Sequence, residues 1–586
     1  MKKAIISKSK ADYLKIIKEL NIKNSDLILW KPDFSSLLSL DSPLPIALGD
    51  NINKQKLDDA TKDIHSTLES WYRDQNGNDL SIIDGCSYGL TFESSLESLF
   101  YNLSLTYLSI VELSKTYDEI IIENCDDPVK IFVCNWLKAE SNIPITIART
   151  YKKNDTGYKS IHPMLGFRDL NNHFHEGNFL DFLFKKILMF IQKVPKNVIY
   201  IMNSGKLEGY IENASSIENS RYKLLIPITR KLKLARNHIF YWKRFRVSKK
   251  SSQIFEMTKL IENLGWNCKT SIIPNDFFKE SIQYFSIPFW QKAFNYFEAY
   301  KKLFKFYKPK VALFGTDSSE IPLISAYAAK KVGIKTMMMP HGIPVWGGFN
   351  MHKNLSGPFD YYGAIGKYDA ENYFLNGVPT KNIQDSNLPW FSRSDFKHHK
   401  MKKNSKVRNA MLLPLDTGFS LHLNANTIHR HLLDMIEVCN ELDIEIFGIK
   451  FRNVQELESF GFKIGKNKIM GQSIEVFGGY GDLSNYFKHV DTVIGPVSSA
   501  TAECSLANID YYTYHDYSIY SFNPNMYKSI KNILHLASNK TELINNITQS
   551  KIFQDGYSKE FLVNIDKDFL SACKGLDDIF ANISLD

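Results

Sequence analysis

The chain has 586 residues, which is too long for one ordinary domain and predicts at least two, each with its own hydrophobic core. Apolar residues make up 44% and charged residues 23%, a composition that excludes a disordered or low-complexity protein. The net charge of +9 is modest for this length, so charge alone does not indicate a dedicated nucleic-acid binder.

Seven cysteines are scattered along the chain without a CxxC pair, which argues against a zinc ribbon or a disulfide framework. The first residues read MKKAIISKSKADYLKII, where Lys8, Lys10 and Asp12 interrupt the apolar stretch, so we expect no signal peptide. No window approaches the ~18 uninterrupted apolar residues that indicate a transmembrane helix. The predicted location is the cytoplasm, with peripheral contact at the inner face of the cytoplasmic membrane as an extension of that prediction.

Short apolar runs alternate with amphipathic stretches for most of the chain. The predicted strands are Leu27–Trp30, Ser81–Ile83, Glu119–Glu123, Asn197–Met202, Val311–Phe314, Lys335–Met339, Asn409–Leu413, Glu445–Lys450, Ile474–Phe477, Thr492–Ile494 and Asp510–Tyr514. Helical patterns lie between them, including Ile321–Val332, His429–Asn440 and Leu483–His489. Alternation of strand and helix predicts the α/β class, with two parallel sheets and crossover helices.

The predicted domain boundary is the polar, basic run from Ser392 to Lys406, because solvated charge suits a linker better than a core element. We therefore predict a Rossmann-like domain over 1–395, with a helix-rich insertion at 165–300, and a second Rossmann-like domain over 396–555. A helix in 556–586 is expected to fold back towards the first domain.

Ligands of open parallel sheets bind beyond the carboxyl ends of the strands, so the loops after the strands are the candidate sites. After the strand that ends at Ile494, Gly495 and Pro496 form a turn, and Ser498 or Ser499 begins a helix. The free N–H groups and positive dipole of a helix start suit a phosphate. The alternative is that these serines only cap the helix.

Further loops supply the remaining candidates for binding. In the same helix, Thr501 adds a hydroxyl, and Glu503 lies about one turn in, where its carboxylate would accept hydrogen bonds from a ribose. The loop from Leu412 to Ser420 offers Asp416 and Gly418, or is an ordinary turn. Lys450 and Arg452 follow a buried strand and would face a phosphate or carboxylate, or form a solvated basic pair.

The candidate catalytic residues follow two strands of the first half. Asp317 and Glu320 lie in the loop and helix start after Val311–Phe314, and His341 lies after the next strand. A carboxylate close to a reacting carbon acts as a base or nucleophile, and a neighbouring histidine shuttles protons. The alternatives are a helix N-cap for Asp317 and a structural hydrogen bond in a turn for His341.

Nine lysines and arginines between Arg230 and Lys250 interleave with aromatic residues. Such a mixture suits an anionic membrane surface. Nucleic acid is an alternative partner for it, and so is plain solvent around a basic helix face. A non-catalytic membrane- or nucleic-acid-binding protein is therefore the rival from another functional class.

Three segments resemble GT-B glycosyltransferases, whose two Rossmann-like domains face a cleft: PKVALFGTDSSEIPLISAYAAKKVGIKTMMMPHG, YYGAIGKYDAENYFLNGVPTKNI and DLSNYFKHVDTVIGPVSSATAECSLANI. Within that fold the chain is most similar to bacterial Kdo and sialic acid transferases, which use CMP-activated acidic sugars. The Ser498-Ser499 pair matches the serine motif of that family. Lys450-Phe451-Arg452 stands where the family often carries a His-Pro pair.

The resemblance implies a transferase that moves a sugar, such as Kdo from a CMP-linked donor, to a growing capsule or lipopolysaccharide. It also implies Asp317 as the nucleophile or base and a donor site that needs no metal and no cofactor. The expected partners are a nucleotide sugar and a glycan or lipid-linked glycan acceptor, without nucleic acid. The alternative enzymes are a phosphopolyol transferase, a UDP-sugar-dependent glycosyltransferase and a sugar-nucleotide epimerase.

Overall fold

The structure is a computed structural model, and all that follows concerns the residues that it describes. These are residues 2–7, 10–29, 48–123, 127–148, 197–202, 222–227, 238–241, 262, 270–315, 319–339, 357–375, 377–386, 408–415, 425–452, 457, 462–479, 483–496, 498–514, 535–551 and 569–585. Within these ranges no helix combines the length and the apolar character that crossing a bilayer requires.

Four parallel strands and a small antiparallel hairpin form the first sheet region. The strands are β1 (Lys3–Ser7), β2 (Ser25–Leu29), the hairpin strands β3 (Ile82–Ile83) and β4 (Cys86–Ser87), β5 (Glu119–Glu123) and β6 (Ile145–Ala148). The helices are α1 (Lys10–Leu20), α2 (Lys54–Ser70), α3 (Tyr88–Leu113) and α4 (Pro128–Glu140). The spatial order β2-β1-β5-β6 places two early strands beside two late ones. Almost every residue of β1 and β5 is buried, as expected of parallel strands with helices on both faces.

Seven parallel strands form the second sheet. They are β7 (Val198–Met202), β8 (Lys223–Pro227), β9 (His238–Tyr241), β10 (Val311–Phe314), β11 (Lys335–Met338), β12 (Tyr361–Ala364) and β13 (Ile383–Asp385). The helices are α5 (Asn275–Tyr307), α6 (Glu320–Lys331) and α7 (Lys367–Leu375). The order β13-β12-β11-β10-β7-β8-β9 contains the Rossmann arrangement, with β7 as its first strand.

Six strands form the third sheet. They are β14 (Asn409–Leu412), β15 (Glu445–Lys450), β16 (Gly465–Ile469), β17 (Gln472–Phe477), β18 (Thr492–Gly495) and β19 (Asp510–Thr513). The helices that follow are α8 (Ala425–Glu441), α9 (Ser499–Ala507), α10 (Lys540–Thr548) and α11 (Phe569–Leu585). The order is β16-β17-β15-β14-β18-β19, and only β16 among these strands runs antiparallel to its neighbour.

The predicted α/β class with Rossmann-like parallel sheets is confirmed, but the number of sheets differs from the prediction. We expected two sheets, and the described residues form three larger ones. The expected insertion at 165–300 contains most of the helix α5, which ends at Tyr307, yet it also supplies three strands of the second sheet, including β7 beside the middle strand β10. The strand β8 has five residues and β9 has four. Basic residues flank both in the sequence, and such a pattern is also typical of an exposed helix face.

The two faces of the second sheet belong to two different hydrophobic clusters. In β7, Val198, Tyr200 and Met202 join the cluster that also contains the first sheet and the helices α3 to α6. The intervening Ile199 and Ile201 join a cluster with one face of the third sheet. Because side chains alternate along a strand, one strand contributes to both clusters.

The last helix, α11, packs against the second sheet, although it follows the third sheet in sequence. Its residues Leu576, Phe580 and Ile583 are buried in the cluster that holds the face of Ile199 and Ile201. The ring of Phe580 meets Tyr222 edge-on at 6.4 Å between centroids. The boundaries of the domains remain a prediction from the sequence.

Candidate functional site at the carboxyl edges of the sheets

The chain reverses its direction of travel across the third sheet between β14 and β18. From β14 it moves to β15 on one side, and it later returns to β18 on the other side. A crevice for a ligand opens where two such loops diverge. The Leu413 N–H donates to the Ile494 carbonyl over 2.9 Å, and a Cβ on Gly495 would lie only 2.7 Å from the Leu413 Cβ. The two loops therefore leave the sheet side by side, and Gly495 permits that approach.

The helix α9 begins at this point with a capping arrangement of its own residues. The Ser498 Oγ accepts the Ala500 N–H over 3.2 Å. The Thr501 Oγ1 accepts the Ser498 N–H over 3.1 Å and donates to the Ser498 carbonyl over 2.6 Å. Ser498 is thus the helix N-cap, which is the structural role that the sequence left open for it. Binding of phosphate by Ser498, Ser499 and Thr501 stays a prediction.

Three residues that the sequence analysis missed hold this loop in place. The hydroxyl of buried Tyr511 donates to the Pro496 carbonyl. Burial raises the pKa of Tyr511, so its hydroxyl stays protonated and remains a donor. The Tyr514 N–H donates to the Gly495 carbonyl over 3.0 Å. The Nε2 of His431 lies 2.6 Å from the Tyr514 carbonyl, and the two rings stack at 4.6 Å.

Burial lowers the pKa of His431 to about 4, so its imidazole is neutral and Nε2 is the donor to the Tyr514 carbonyl. This contact joins α8 to the end of β19 across 83 residues of sequence. No local pattern around His431 signals a contact over that distance. The end of β19 and the turn after β18 therefore form one hydrogen-bonded unit.

The other predicted donor-binding residues lie in different surroundings. Glu503 is 6% exposed, so most of its surface is covered by protein. The Lys450 Nζ donates to the Gly479 carbonyl over 3.3 Å, and Arg452 is exposed just beyond β15. Lys450 and Arg452 lie at the carboxyl edge of the sheet, because β15 ends at Lys450, as predicted. Asp416, Gly418 and the side chain of Ser499 lie outside the described residues.

At the second sheet, the prediction that two candidate loops leave neighbouring strands is confirmed. The strands β10 and β11 pair in parallel, with Val311 opposite Lys335. The loop after β10 also lies at the point where this sheet reverses, between β7 and β10. Asp317 and His341 themselves lie outside the described residues. The N-cap position of α6 is held by Ser319, the residue that directly precedes Glu320.

Glu320 is buried against the first sheet region instead of opening to a crevice. It is 2% exposed, and the Ser95 hydroxyl on α3 donates to its carboxylate. The contact links α6 to α3 and places the carboxylate in the first turn of α6, where the helix dipole favours it. The predicted catalytic role of Glu320 gains no support from this placement.

A further carboxyl group, Asp369, lies at the same edge of the second sheet, at the start of α7. Its Oδ2 accepts the Ile365 N–H over 3.0 Å, and its Oδ1 has no hydrogen-bond partner among the described residues. Burial raises the pKa of Asp369 to about 8, so the group is mostly protonated at neutral pH. Across the described ranges, no three His, Cys, Asp or Glu side chains form a metal-binding group.

No protein-family model matches the chain, and no curated protein matches it in sequence. Solved structures are similar to it at low identity. The UDP-GlcNAc 2-epimerase of Neisseria meningitidis is 10% identical, covers 66% of this chain and all of its own, and gives a TM-score of 0.38. A glycosyltransferase of Rickettsia africae is 12% identical, covers 66% of this chain and 98% of its own, and gives 0.37. MurG of Acinetobacter baumannii is 11% identical with the same 66% of this chain covered, all of its own, and 0.35. At these identities and TM-scores the similar structures carry no argument about activity, which must be argued from the residues of this chain.

Proposed function

We propose that the protein is a glycosyltransferase that transfers a sugar from a nucleotide donor to a cell-surface glycan. The proposal rests on one observation, the start of α9 at the reversal point of the third sheet. The positive end of the helix dipole lies there, which favours a phosphate. The resemblance of the surrounding sequence to donor-binding segments of GT-B enzymes agrees with this placement.

In this mechanism the donor phosphate sits at the start of α9, beside Ser498, Ser499 and Thr501. Lys450 and Arg452, at the end of β15, offset the negative charge of the donor. Glu503 accepts hydrogen bonds from the ribose hydroxyls. Asp416 and Gly418 follow β14 in sequence and would contact the donor from that loop. The closeness of Leu413 to Gly495 supports such an approach of the two loops.

The reaction breaks the bond between the anomeric carbon and the donor phosphate and forms a bond to an acceptor hydroxyl. Asp317 takes the proton of the acceptor or attacks the anomeric carbon first, and His341, which follows the neighbouring strand in sequence, would assist it. The negative charge that develops on the leaving phosphate is stabilised by the helix start. No metal or cofactor takes part in this scheme.

A CMP-linked acidic sugar such as Kdo is the proposed donor, and a UDP-linked sugar is the alternative. A panel of CMP-, CDP- and UDP-linked compounds, measured by calorimetric binding and by product release, separates the two. A CDP-linked polyol donor would indicate a phosphopolyol transferase. Conversion of a donor without any acceptor would indicate an epimerase and would overturn the transferase.

The phosphate site is tested by Ser498→Ala. We expect nucleotide binding to weaken on the order of 10-fold, because a hydroxyl and the cap that fixes the helix start are both lost. The matched control is Asn539→Ala, which removes the N-cap of α10, where Asn539 accepts the Glu542 N–H over 2.9 Å. The control should bind nucleotide like the wild type. Equal binding by the Ser498→Ala protein would remove α9 from the site.

The chemical step is tested by Asp317→Asn. Loss of the carboxylate should lower turnover by roughly 100-fold or more, as the removal of an acid or base commonly does, while nucleotide binding persists. Single-turnover measurements separate the two effects. Unchanged turnover would exclude Asp317 from the mechanism and leave the donor site intact.

A further inference from the structure

The amino edge of the second sheet, opposite the candidate site, carries a row of lysines. Lys223 begins β8, Lys335 begins β11, and Lys310 directly precedes β10. The Lys310 N–H donates to the Val198 carbonyl over 2.7 Å, and the Lys223 N–H donates to the Asn197 carbonyl over 2.9 Å. These bonds place the strand starts side by side, so the three lysines share one edge.

Two helices end at the same edge, because α5 leads into β10 and α6 leads into β11. Asp84, in the turn of the β3–β4 hairpin, joins them: it pairs with Lys301 of α5 and with Lys331 of α6, the latter over 2.8 Å. We call the whole surface the basic face. Its residues are Lys223, Lys301, Lys302, Lys305, Lys308, Lys310, Lys330, Lys331 and Lys335.

Few carboxylates balance this charge. Besides Asp84, Glu298 pairs with Lys301 over 2.7 Å, and Asp360 pairs with Lys330 over 3.8 Å. The remaining lysines make no ion pair with any residue of the described ranges; they are Lys223, Lys302, Lys305, Lys308, Lys310 and Lys335.

The helix dipole explains only part of the pattern. Lysines in the last turn of a helix are stabilised by its negative end, which accounts for Lys305, Lys330 and Lys331. Of the lysines at the strand starts, Lys335 lies over the ring of Tyr361, 6.0 Å from its centroid, and Lys223 and Lys310 pair with no carboxylate of the described residues. The basic face is therefore a positive surface in excess of what its own fold neutralises.

An aromatic ring stands exposed within the basic face. Phe306, in the last turn of α5, is 39% exposed, and its ring meets that of Tyr307 edge-on, at 4.9 Å between centroids. Lysines around an exposed apolar ring match an anionic lipid interface, where the charges meet headgroups and the ring reaches the acyl boundary.

We propose that the basic face docks the protein on an anionic lipid surface. The lysines that define this surface lie outside the predicted membrane segment at 230–250 in sequence, and of that segment the structure describes only the strand β9. Since all paired strands of the second sheet are parallel, docking by the amino edge turns the carboxyl edge away from the bilayer. The proposal does not depend on the transferase activity, because docking needs neither donor nor acceptor.

The test is co-sedimentation of the full chain with vesicles of phosphatidylglycerol and phosphatidylcholine, compared with phosphatidylcholine alone. We expect binding to the anionic vesicles only, weakening with salt. A variant with Lys302→Gln, Lys305→Gln and Lys310→Gln should bind roughly 100-fold more weakly, since each lysine near such a surface changes affinity about 5-fold. The three side chains are exposed, so the fold should persist.

The matched control is the variant with Lys463→Gln, Lys466→Gln and Lys468→Gln, whose exposed lysines lie at the β16 edge of the third sheet. It has the same net charge and should bind vesicles like the wild type. Phe306→Ser should weaken binding several-fold without changing the salt dependence. Absence of vesicle binding by the wild type, an equal loss in the control, or binding to a single-stranded oligonucleotide in place of vesicles would overturn the proposal.

Discussion

The first and third sheets contact the second sheet in different ways. The first sheet region shares one continuous hydrophobic cluster with it and adds buried polar bonds. Asp63 on α2 is 2% exposed and accepts three backbone N–H groups, those of Ser271, Ile272 and Ile273, over 2.7 to 3.0 Å. These bonds fix the chain just before α5 in one orientation.

The third sheet keeps a separate cluster on one of its faces, formed with α8 and α10. Its other face meets the second sheet in an apolar cluster that includes α11. Apolar contacts are less directional than hydrogen bonds, and the packed volume of this cluster contributes to the contact. The bonds of Asp63 thus fix the first sheet region to the chain that precedes α5, and the cluster with α11 holds the third sheet against the second by packing.

The strongest test of the polar contact is Asp63→Ala. It removes the charged acceptor of three backbone N–H groups, of which that of Ile273 is buried, so we expect a loss of about 4 kcal/mol in the free energy of unfolding. Urea unfolding followed by tryptophan fluorescence measures it. The control Asp59→Ala lies on the same helix, where its carboxylate bonds only Gln55 and Lys62 at the surface, and should have a much smaller effect.

The apolar contact is tested by Phe580→Ala. The ring is fully buried, so its removal should cost about 3 kcal/mol through lost burial and the cavity left behind. Thermal unfolding measures the change. Phe374→Ala is the matched control, because that ring is 60% exposed and the same atoms are removed. A similar loss in both proteins would contradict the packing of α11 on the second sheet.

The stability of the protein should also depend on pH through two buried groups with opposite signs. Asp369 lies on α7 beside the second sheet, and His431 lies on α8 beside the third. The pKa of Asp369 is about 8 when folded and near 3.8 when unfolded, so the folded protein keeps a proton and stability falls as pH rises between those values. The pKa of His431 is about 4 when folded and near 6.5 when unfolded, so stability falls as pH drops between those values. Each group contributes a slope of at most about 1.4 kcal/mol per pH unit.

Melting temperatures across this pH range test the assignment. Asp369→Asn should reduce the loss of stability towards high pH, and His431→Gln should reduce the loss towards low pH. The same change of slope in both variants would show that burial does not set these two pKa values.

The smallest expected change in stability concerns the surface ion pairs of Asp84. Asp84 and Gly85 have φ values of +53° and +87°, the geometry of a two-residue hairpin turn that asparagine also favours. Asp84→Asn therefore keeps the turn and removes only the ion pairs with Lys301 and Lys331. We expect about 0.5 kcal/mol, measured by thermal unfolding at low salt and lost at high salt.

Most of the fold was predictable because buried parallel strands are apolar runs between polar turns. The predicted bounds of Glu119–Glu123, Val311–Phe314 and Glu445–Lys450 are those of β5, β10 and β15. The strand β1 was missed because its apolar residues follow two lysines and resemble an interrupted leader. The strand β16 was missed because GKNKI lies at a sheet edge, where polar residues are normal.

The sequence predicted those residues of the candidate site that closely follow the end of a strand. Ser498 lies three residues after the end of β18, so the sequence placed it at the carboxyl edge. Its use as a helix cap depends on the conformation of residues 498–501, which sequence leaves open. Tyr511 and His431 act through contacts with residues distant in sequence, and Asp369 stands out only because the fold buries it.

The packing of α11 has a consequence for the order in which the protein is made. The ribosome synthesises this helix after every other described element, yet Leu576, Phe580 and Ile583 complete the cluster on one face of the second sheet. Until they emerge, part of that apolar face lacks its cover and is open to aggregation or to chaperones. Nascent chains halted before residue 569 should therefore be held by chaperones more than chains that extend past 585.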